Sequence, residues 1–249
     1  MSGHSKWSTI KHKKAALDAK RGKLFTKVIK ELTIAARIGG GDPDGNPRLR
    51  SAVAAAKTAN MPADNIKRAI QKGTGELPGV SYEETTYEGY GPGGVAIMLE
   101  TLSDNKNRTT AEIRHVFGKY GGNLGEPNSV SWMFAKKGLL TVPVAGIAAG
   151  DLMEVVLEAG ADDLRTEQDE FHVVTAPDLL NAVREALERA EIRVSQATLT
   201  MEPQNTVHVD ARKAQQCLKL LEILEDHDDV QSVHANLEYD EADLEATAS

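Results

Sequence analysis

Lys23-Leu24-Phe25-Thr26-Lys27-Val28-Ile29-Lys30-Glu31-Leu32-Thr33-Ile34-Ala35-Ala36-Arg37-Ile38 is the stretch from which the rest of the chain is read. Leu24, Phe25, Val28, Ile29, Leu32, Ala35 and Ala36 recur at helical spacing, which predicts a helix over 23–38. Gly39-Gly40-Gly41 ends it. At about 100° per residue, Lys23, Lys27, Lys30 and Arg37 fall within one sector of roughly 80°. Phe25, Ile29, Leu32 and Ala36 fall opposite. One face packs and the other carries a row of cations. A charge run ordinarily marks a solvated helix face, but such a face mixes signs, and Glu31 is the lone acid here. A one-signed row predicts contact with phosphates, whose condensed counterions it displaces.

The flanking segments extend the same character. An arm, Gly3-His4-Ser5-Lys6-Trp7, leads to Lys11, His12, Lys13 and Lys14. A first helix is predicted over 9–20, ending near Lys20, Arg21 and Gly22. Two readings of Trp7 stand side by side: a stacking platform for an exposed base, or an anchor for the arm. Further helices are predicted over 48–59 and 62–72, the latter opened by Asn60-Met61-Pro62. They add Arg48, Arg50, Lys57, Lys67, Arg68 and Lys72, read mainly as phosphate-positioning groups. Residues 1–75 hold 16 Lys/Arg and 5 Asp/Glu, a balance of +11. The remainder holds 13 and 32, a balance of −19, so the net −8 conceals a basic module on an acidic body. A basic helical domain is placed at 1–78.

The body alternates strands and helices. Tyr87-Glu88-Gly89-Tyr90-Gly91-Pro92-Gly93-Gly94 reads as a loop before a strand at 95–101. Thr109 with Glu112 predicts a capping box for a helix to about Tyr120. Strands near 130–135 and 138–144 follow. A second cycle then begins: helix 151–159, strands 162–166 and 170–175, helix 177–190, strand 194–202. Strand 206–210, helix 211–226 and strand 230–238 close the series, with Asp226, Asp228 and Asp229 read as a solvated turn. The expected class is α+β: a helical bundle plus two ferredoxin-like α/β domains, one inserted in the other. The split domain is placed at 79–144 plus 204–240, the acidic insert at 145–203 and an acidic tail at 241–249. Two consecutive domains are the alternative.

Other chemistries find no support in the pattern. Cys217 is the single cysteine, so no internal disulfide or structural zinc site can be built from it. The seven histidines do not cluster at ligand spacing. Gly89, Gly91 and Gly94 match G-x-G-x-x-G, but the motif precedes a strand where the dinucleotide fingerprint follows one. There is no P-loop, no nucleophile elbow and no paired-carboxylate arrangement, so neither enzyme activity nor a cofactor, metal or small-molecule substrate is expected. The polar, basic start is unlike a secretory signal. The longest apolar runs are too short to span a bilayer. A cytoplasmic protein with a nucleic-acid partner and no membrane partner is the expectation.

Specific motifs point further. Gly3-His4-Ser5-Lys6-Trp7, Ile10-Lys11, Lys14, Asp18, Arg21, Phe25 and Lys27, then Asn60-Met61-Pro62, Asp64-Asn65-Ile66 and Arg68-Ala69-Ile70, resemble the YebC/PmpR family. Residues 87–94, Asn107-Arg108, Gly121-Gly122-Asn123-Leu124-Gly125 and Ser129-Val130-Ser131-Trp132-Met133-Phe134 match its pattern too. The resemblance implies a helical N-terminal domain and two α/β domains, one inserted in the other. It implies a DNA-binding regulator of transcription, with ribosome-associated translation factors, acting on ribosomal RNA at proline-rich stalls, as the alternative. From the charge pattern, Lys23, Lys27 and Lys30 changed together to Glu are expected to abolish nucleic-acid binding and leave the fold intact.

Overall fold

In the computed structural model, residues 19–167, 169–240 and 242 are described. The helix expected over 9–20 lies almost wholly outside them. Helix α1 (Ala19–Gly39) confirms the central amphipathic segment and extends it at both ends. Gly40, at φ +84°, gives the left-handed turn that stops it. Asn46 then joins two helices. Its side-chain amide donates to the carbonyls of Ala35 and Gly40, and its Oδ1 accepts from Leu49 N–H, capping α2 (Pro47–Thr58). Helix α3 (Ala63–Thr74) completes the bundle. Val28, Leu32, Ala35 and Ala36 of α1 bury against Leu49, Ala52, Ala56, Ile66 and Ala69.

Close packing of α1 on α3 depends on Gly73. A Cβ there would sit 2.3 Å from the Thr33 carbonyl oxygen and 2.8 Å from the Ala36 Cβ. Gly73→Ala is therefore expected to push the helices apart and cost about 1–3 kcal/mol despite alanine's higher helix propensity. A urea-denaturation midpoint equal to that of the wild type would contradict the tight crossing.

Two compact units make up the chain: one runs up to Ser131 and resumes at Thr206, and the other is Trp132–Asn205. The first joins the helical bundle to a four-stranded antiparallel sheet. Its strands are β1 (Glu83–Tyr90), β2 (Ala96–Ser103), β3 (Asn123–Leu124) and β9 (Val230–Ala235), in the order β3-β1-β2-β9. Helices α4 (Lys106–Lys119) and α7 (Ala211–Glu225) cover one face. Ile113 and Phe117 of α4 and Cys217, Leu220, Leu221 and Leu224 of α7 pack against Tyr87, Ile97, Leu99 and Val233. Burial pushes the Cys217 thiol up to about 12, so it stays protonated at neutral pH. A short parallel pair, β8 (Val207–His208) with β10 (Leu237–Glu238), completes this unit.

The second unit holds β4 (Phe134–Pro143), α5 (Ala149–Glu158), β5 (Asp163–Glu167), β6 (Glu170–Thr175), α6 (Leu180–Arg189) and β7 (Gln196–Pro203). Its sheet order is β5-β6-β4-β7, all antiparallel. Leu152, Val156, Val183 and Leu187 from its helices bury against Leu140, Val142, Phe171 and Val173. The mixed architecture is α+β.

Four sequence expectations shift. The insert begins at Trp132 rather than 145, because one continuous strand, β4, pairs with β6 and β7 inside it. Tyr87–Tyr90 is strand rather than loop. Gly89 and Gly91 serve packing: a Cβ on Gly89 would lie 2.6 Å from the Asn123 carbonyl oxygen, and one on Gly91 2.9 Å from Ile97. Helix α4 starts at Lys106, capped by Asn105, whose Oδ1 accepts from Arg108 N–H. Thr109 is not its cap but a buried hydroxyl of the network below.

Candidate nucleic-acid interface

The lysine row of α1 meets the C-terminal end of α7. Lys23 Nζ donates to the Asp226 carbonyl at 3.0 Å and Lys27 Nζ to the Glu225 carbonyl at 2.6 Å. Lys30 Nζ reaches the Asp228 carbonyl at 2.9 Å. The last carbonyls of a helix lack intrahelical partners and carry its negative dipole end, so the ammonium groups of Lys23 and Lys27 are well matched to them, while Lys30 reaches the turn beyond. Lys30 goes deepest. It is 7% exposed, and it pairs with the Asp229 carboxylate at 2.5 Å. Its ammonium also lies 5.7 Å from the centre of the Tyr82 ring.

Asp229 is the hub of this contact and is itself buried. Its Oδ2 accepts from Thr109 Oγ1 at 2.6 Å, Arg108 Nη2 at 2.8 Å and Ser103 Oγ at 3.2 Å. Burial alone would raise its pKa; hydrogen bonds from Lys30, Thr109 and Arg108 outweigh that and hold the carboxyl well below the usual carboxylate range. The expected solvated turn at 226–229 is thus a docking point: Asp226 and Asp228 stay exposed and offer carbonyls, and Asp229 is buried. It could not be read as one because its partners lie about 200 residues away in sequence.

Arg37, the last cation of the expected row, is also engaged, as are Arg48 and Arg50 of α2. Arg37 donates to Ser81 Oγ and the Tyr82 carbonyl. Arg48 grips Glu31 with two hydrogen bonds, at 2.6 and 3.0 Å, and reaches Glu84 on β1 at 2.6 Å. Arg50 closes the preceding loop through the carbonyls of Pro43 and Asp44. The face expected to present Lys23, Lys27, Lys30 and Arg37 to phosphate is therefore a clasp between bundle and sheet. Charge reversal at Lys30 would put two carboxylates in one buried site, so the expectation that the triple Glu variant keeps its fold is withdrawn.

Other cations of the bundle stay open. Lys67, Arg68 and Lys72 project from the outward side of α3, opposite buried Ile66 and Ala69, and Lys57 lies exposed at the end of α2. Among the described residues none of the four has an acidic partner. Asp64 shares the face at the first turn, where the helix dipole favours a carboxylate. Lys6, Trp7, Lys11, Lys13 and Lys14, and the side chains of Lys20 and Arg21, lie outside the described residues. Periodicity had marked α3 as basic, but it ranked the longer lysine row of α1 first because a hydrophobic stripe reveals one buried face and not a second, polar one.

Two other clusters have structural explanations. Glu88 is 6% exposed and accepts the N–H groups of Asn128, Val130 and Ser131, pinning the loop after β3. Burial pushes its pKa up, but these three donors win and lower it. Glu112, His227 and Asp229 bring potential ligand atoms within 4.8 Å of one another. Asp229 already serves two cations. His227 Nδ1 accepts from Asp229 N–H, which leaves Nε2 to donate to Glu112 at 3.0 Å. The donor set is satisfied within the protein.

A helical bundle clasped by lysines to a split α/β core, itself interrupted by a second α/β unit, defines the class: a multidomain protein with a basic helical head. Residues 5–76 match the model of the TACO1/YebC protein N-terminal domain, and residues 82–237 that of the TACO1/YebC second and third domain. The chain belongs to the TACO1/YebC family. It is 58% identical to a probable transcriptional regulatory protein of Koribacter versatilis over 100% of both chains. It is 57% identical to one of Geobacter sulfurreducens, covering 98% of this chain and 99% of that one. The crystal structure of a conserved hypothetical protein from Aquifex aeolicus superposes with a TM-score of 0.87 at 49% identity, covering 95% of this chain and 98% of that one. Among the described residues no helix is long and apolar enough to cross a membrane.

Proposed function

We propose that this chain is a non-enzymatic, DNA-binding regulator of transcription that holds duplex DNA mainly through its phosphates. The carrying observation is the outward face of α3, where Lys67, Arg68 and Lys72 have no acidic partner among the described residues, in a module of charge +11. The names of its relatives as probable transcriptional regulatory proteins support the regulatory role. Phosphate contact gives affinity and register but little sequence discrimination. On this face of α3 the two amide side chains, Asn65 and Gln71, are half-buried, and Gln71 donates to Glu76 at 3.3 Å, so little is offered to base edges and specificity is weak or comes from DNA shape.

Fluorescence anisotropy of a labelled 30-base-pair duplex, titrated at several salt concentrations, tests this. Each phosphate contact contributes about −0.9 to the slope of log affinity against log salt. The three α3 cations alone set an expected slope of about −3, steeper with those of the arm. Absence of duplex binding at low salt overturns the reading. Tighter binding to a structured ribosomal RNA fragment than to the duplex moves the target to RNA and the ribosome.

A further inference from the structure

We propose a second DNA-contacting surface on the α/β core, formed by the outward face of α4 and resting on the DNA-binding reading above. Four of the 13 cations that follow residue 75, Lys106, Arg108, Arg114 and Lys119, fall in the 14 residues of α4, against Glu112 alone. That local excess sits in a segment whose balance is −19.

The face is cleared of acid by geometry. Thr109, Ile113 and Phe117 bury one side of α4. At about 100° per residue the opposite side presents Asn107, Ala111, Arg114, His115, Gly118 and Lys119, a strip about 18 Å long. Every one of these residues is exposed. The acids at its border are taken: Asp104 pairs with Arg108 at 2.9 Å and Glu112 with His227 at 3.0 Å. Among the described residues Arg114 and Lys119 have no carboxylate partner. Lys119 lies 5.5 Å from the centre of the Tyr120 ring, a contact that leaves its N–H donors free for phosphate.

On α6 and α7 several of the exposed cations pair with nearby acids. On α7, Lys213 pairs with Asp210 at 3.2 Å and Lys219 with Glu222 at 3.4 Å. On α6, Arg184 pairs with Glu188 at 3.6 Å. Those are ordinary solvated faces of mixed sign. The α4 strip instead joins unpaired cations to small residues at its centre: a Cβ on Gly118 would meet nothing within 4 Å, and Ala111 adds only a methyl group. Flanking cations with a low centre let a phosphate backbone approach the helix closely. A helix face of this width suits the major groove of B-form DNA, whereas the deep, narrow major groove of A-form RNA excludes it.

The test uses the full chain carrying Arg114→Gln and Lys119→Gln together, the same duplex, and a structured RNA hairpin of equal length. Both substitutions are exposed and neutral, and an unchanged circular dichroism spectrum checks the fold. The expected result is a salt slope shallower by about 2, with about tenfold less loss of affinity between 50 and 200 mM salt than the wild type shows. A slope and affinity equal to the wild type's, in a protein whose binding still responds to α3 substitutions, overturns the α4 surface and leaves the DNA reading standing. A wild type that binds no duplex overturns that reading first, and the α4 proposal with it. A variant defect confined to the RNA hairpin overturns DNA as the occupant.

Discussion

Asp229→Ala is expected to destabilise the bundle-and-core unit by about 3–5 kcal/mol, because it strands a buried ammonium. Lys30 is 7% exposed, and its carboxylate partner lies at 2.5 Å. Without that partner it keeps the Asp228 carbonyl and the face of the Tyr82 ring, and no counter-charge. Arg108 suffers less, being largely solvent-facing and still paired with Asp104. Adding Lys30→Met, which keeps the bulk and removes the charge, should recover most of the loss, since a buried ion pair replaced by apolar groups is often close to neutral. Urea denaturation followed by circular dichroism reads both. A single-variant loss below about 1 kcal/mol, or no recovery in the double variant, would mean that water reaches the Lys30–Asp229 pair.

The same carboxylate fixes the sign of an acid effect. Its folded pKa lies well below the usual range, and the unfolded chain titrates near 3.9. As pH falls past that value the unfolded chain takes up a proton the native state refuses. The contribution is therefore complete above the unfolded value and lost as pH drops toward the native one. The stability gap between wild type and Asp229→Ala should be widest near neutral pH and narrow steadily from about pH 5 to pH 3. A gap independent of pH would show that lost packing, not charge, causes the defect.

These particulars show what the sequence could reveal and what it could not. The apolar seam of α1 was legible because packing repeats every three to four residues. Its lysine row was legible too, but not its partner: a carbonyl accepting from an ammonium leaves no mark in the sequence, and Asp226, Asp228 and Asp229 look the same in a solvated turn as in a buried one. Strand β1 was obscured by Gly89 and Gly91, which are there because Asn123 and Ile97 crowd the backbone. The boundary of the insert was misplaced because Lys136-Lys137-Gly138 looks like a break between two strands, and only the pairing of the continuous β4 with β6 and β7 decides which sheet it joins. Family membership was easier to read, since it rests on long residue patterns such as Gly3–Trp7 and Tyr87–Gly94 and needs no structural role assigned to them.

The sharpest functional contrast lies between two sets of lysines in the same bundle. Lys67→Gln, Arg68→Gln and Lys72→Gln together should make the salt slope shallower by about 3. Each counterion-releasing contact is worth up to about eightfold at 0.1 M salt, so duplex affinity there should fall by up to roughly 10²–10³-fold. The fold should persist, because all three side chains are exposed on the side of α3 away from Ile66 and Ala69. Lys23→Gln with Lys27→Gln should do the reverse: leave the slope nearly unchanged while loosening the seat of α1 on the end of α7, seen as faster amide exchange in residues 222–229. Those two ammonium groups already serve the carbonyls of Asp226 and Glu225 and have little to offer a phosphate. Equal loss of slope in both variants would mean that the clasp opens on DNA and that α1 is, after all, part of the contact face.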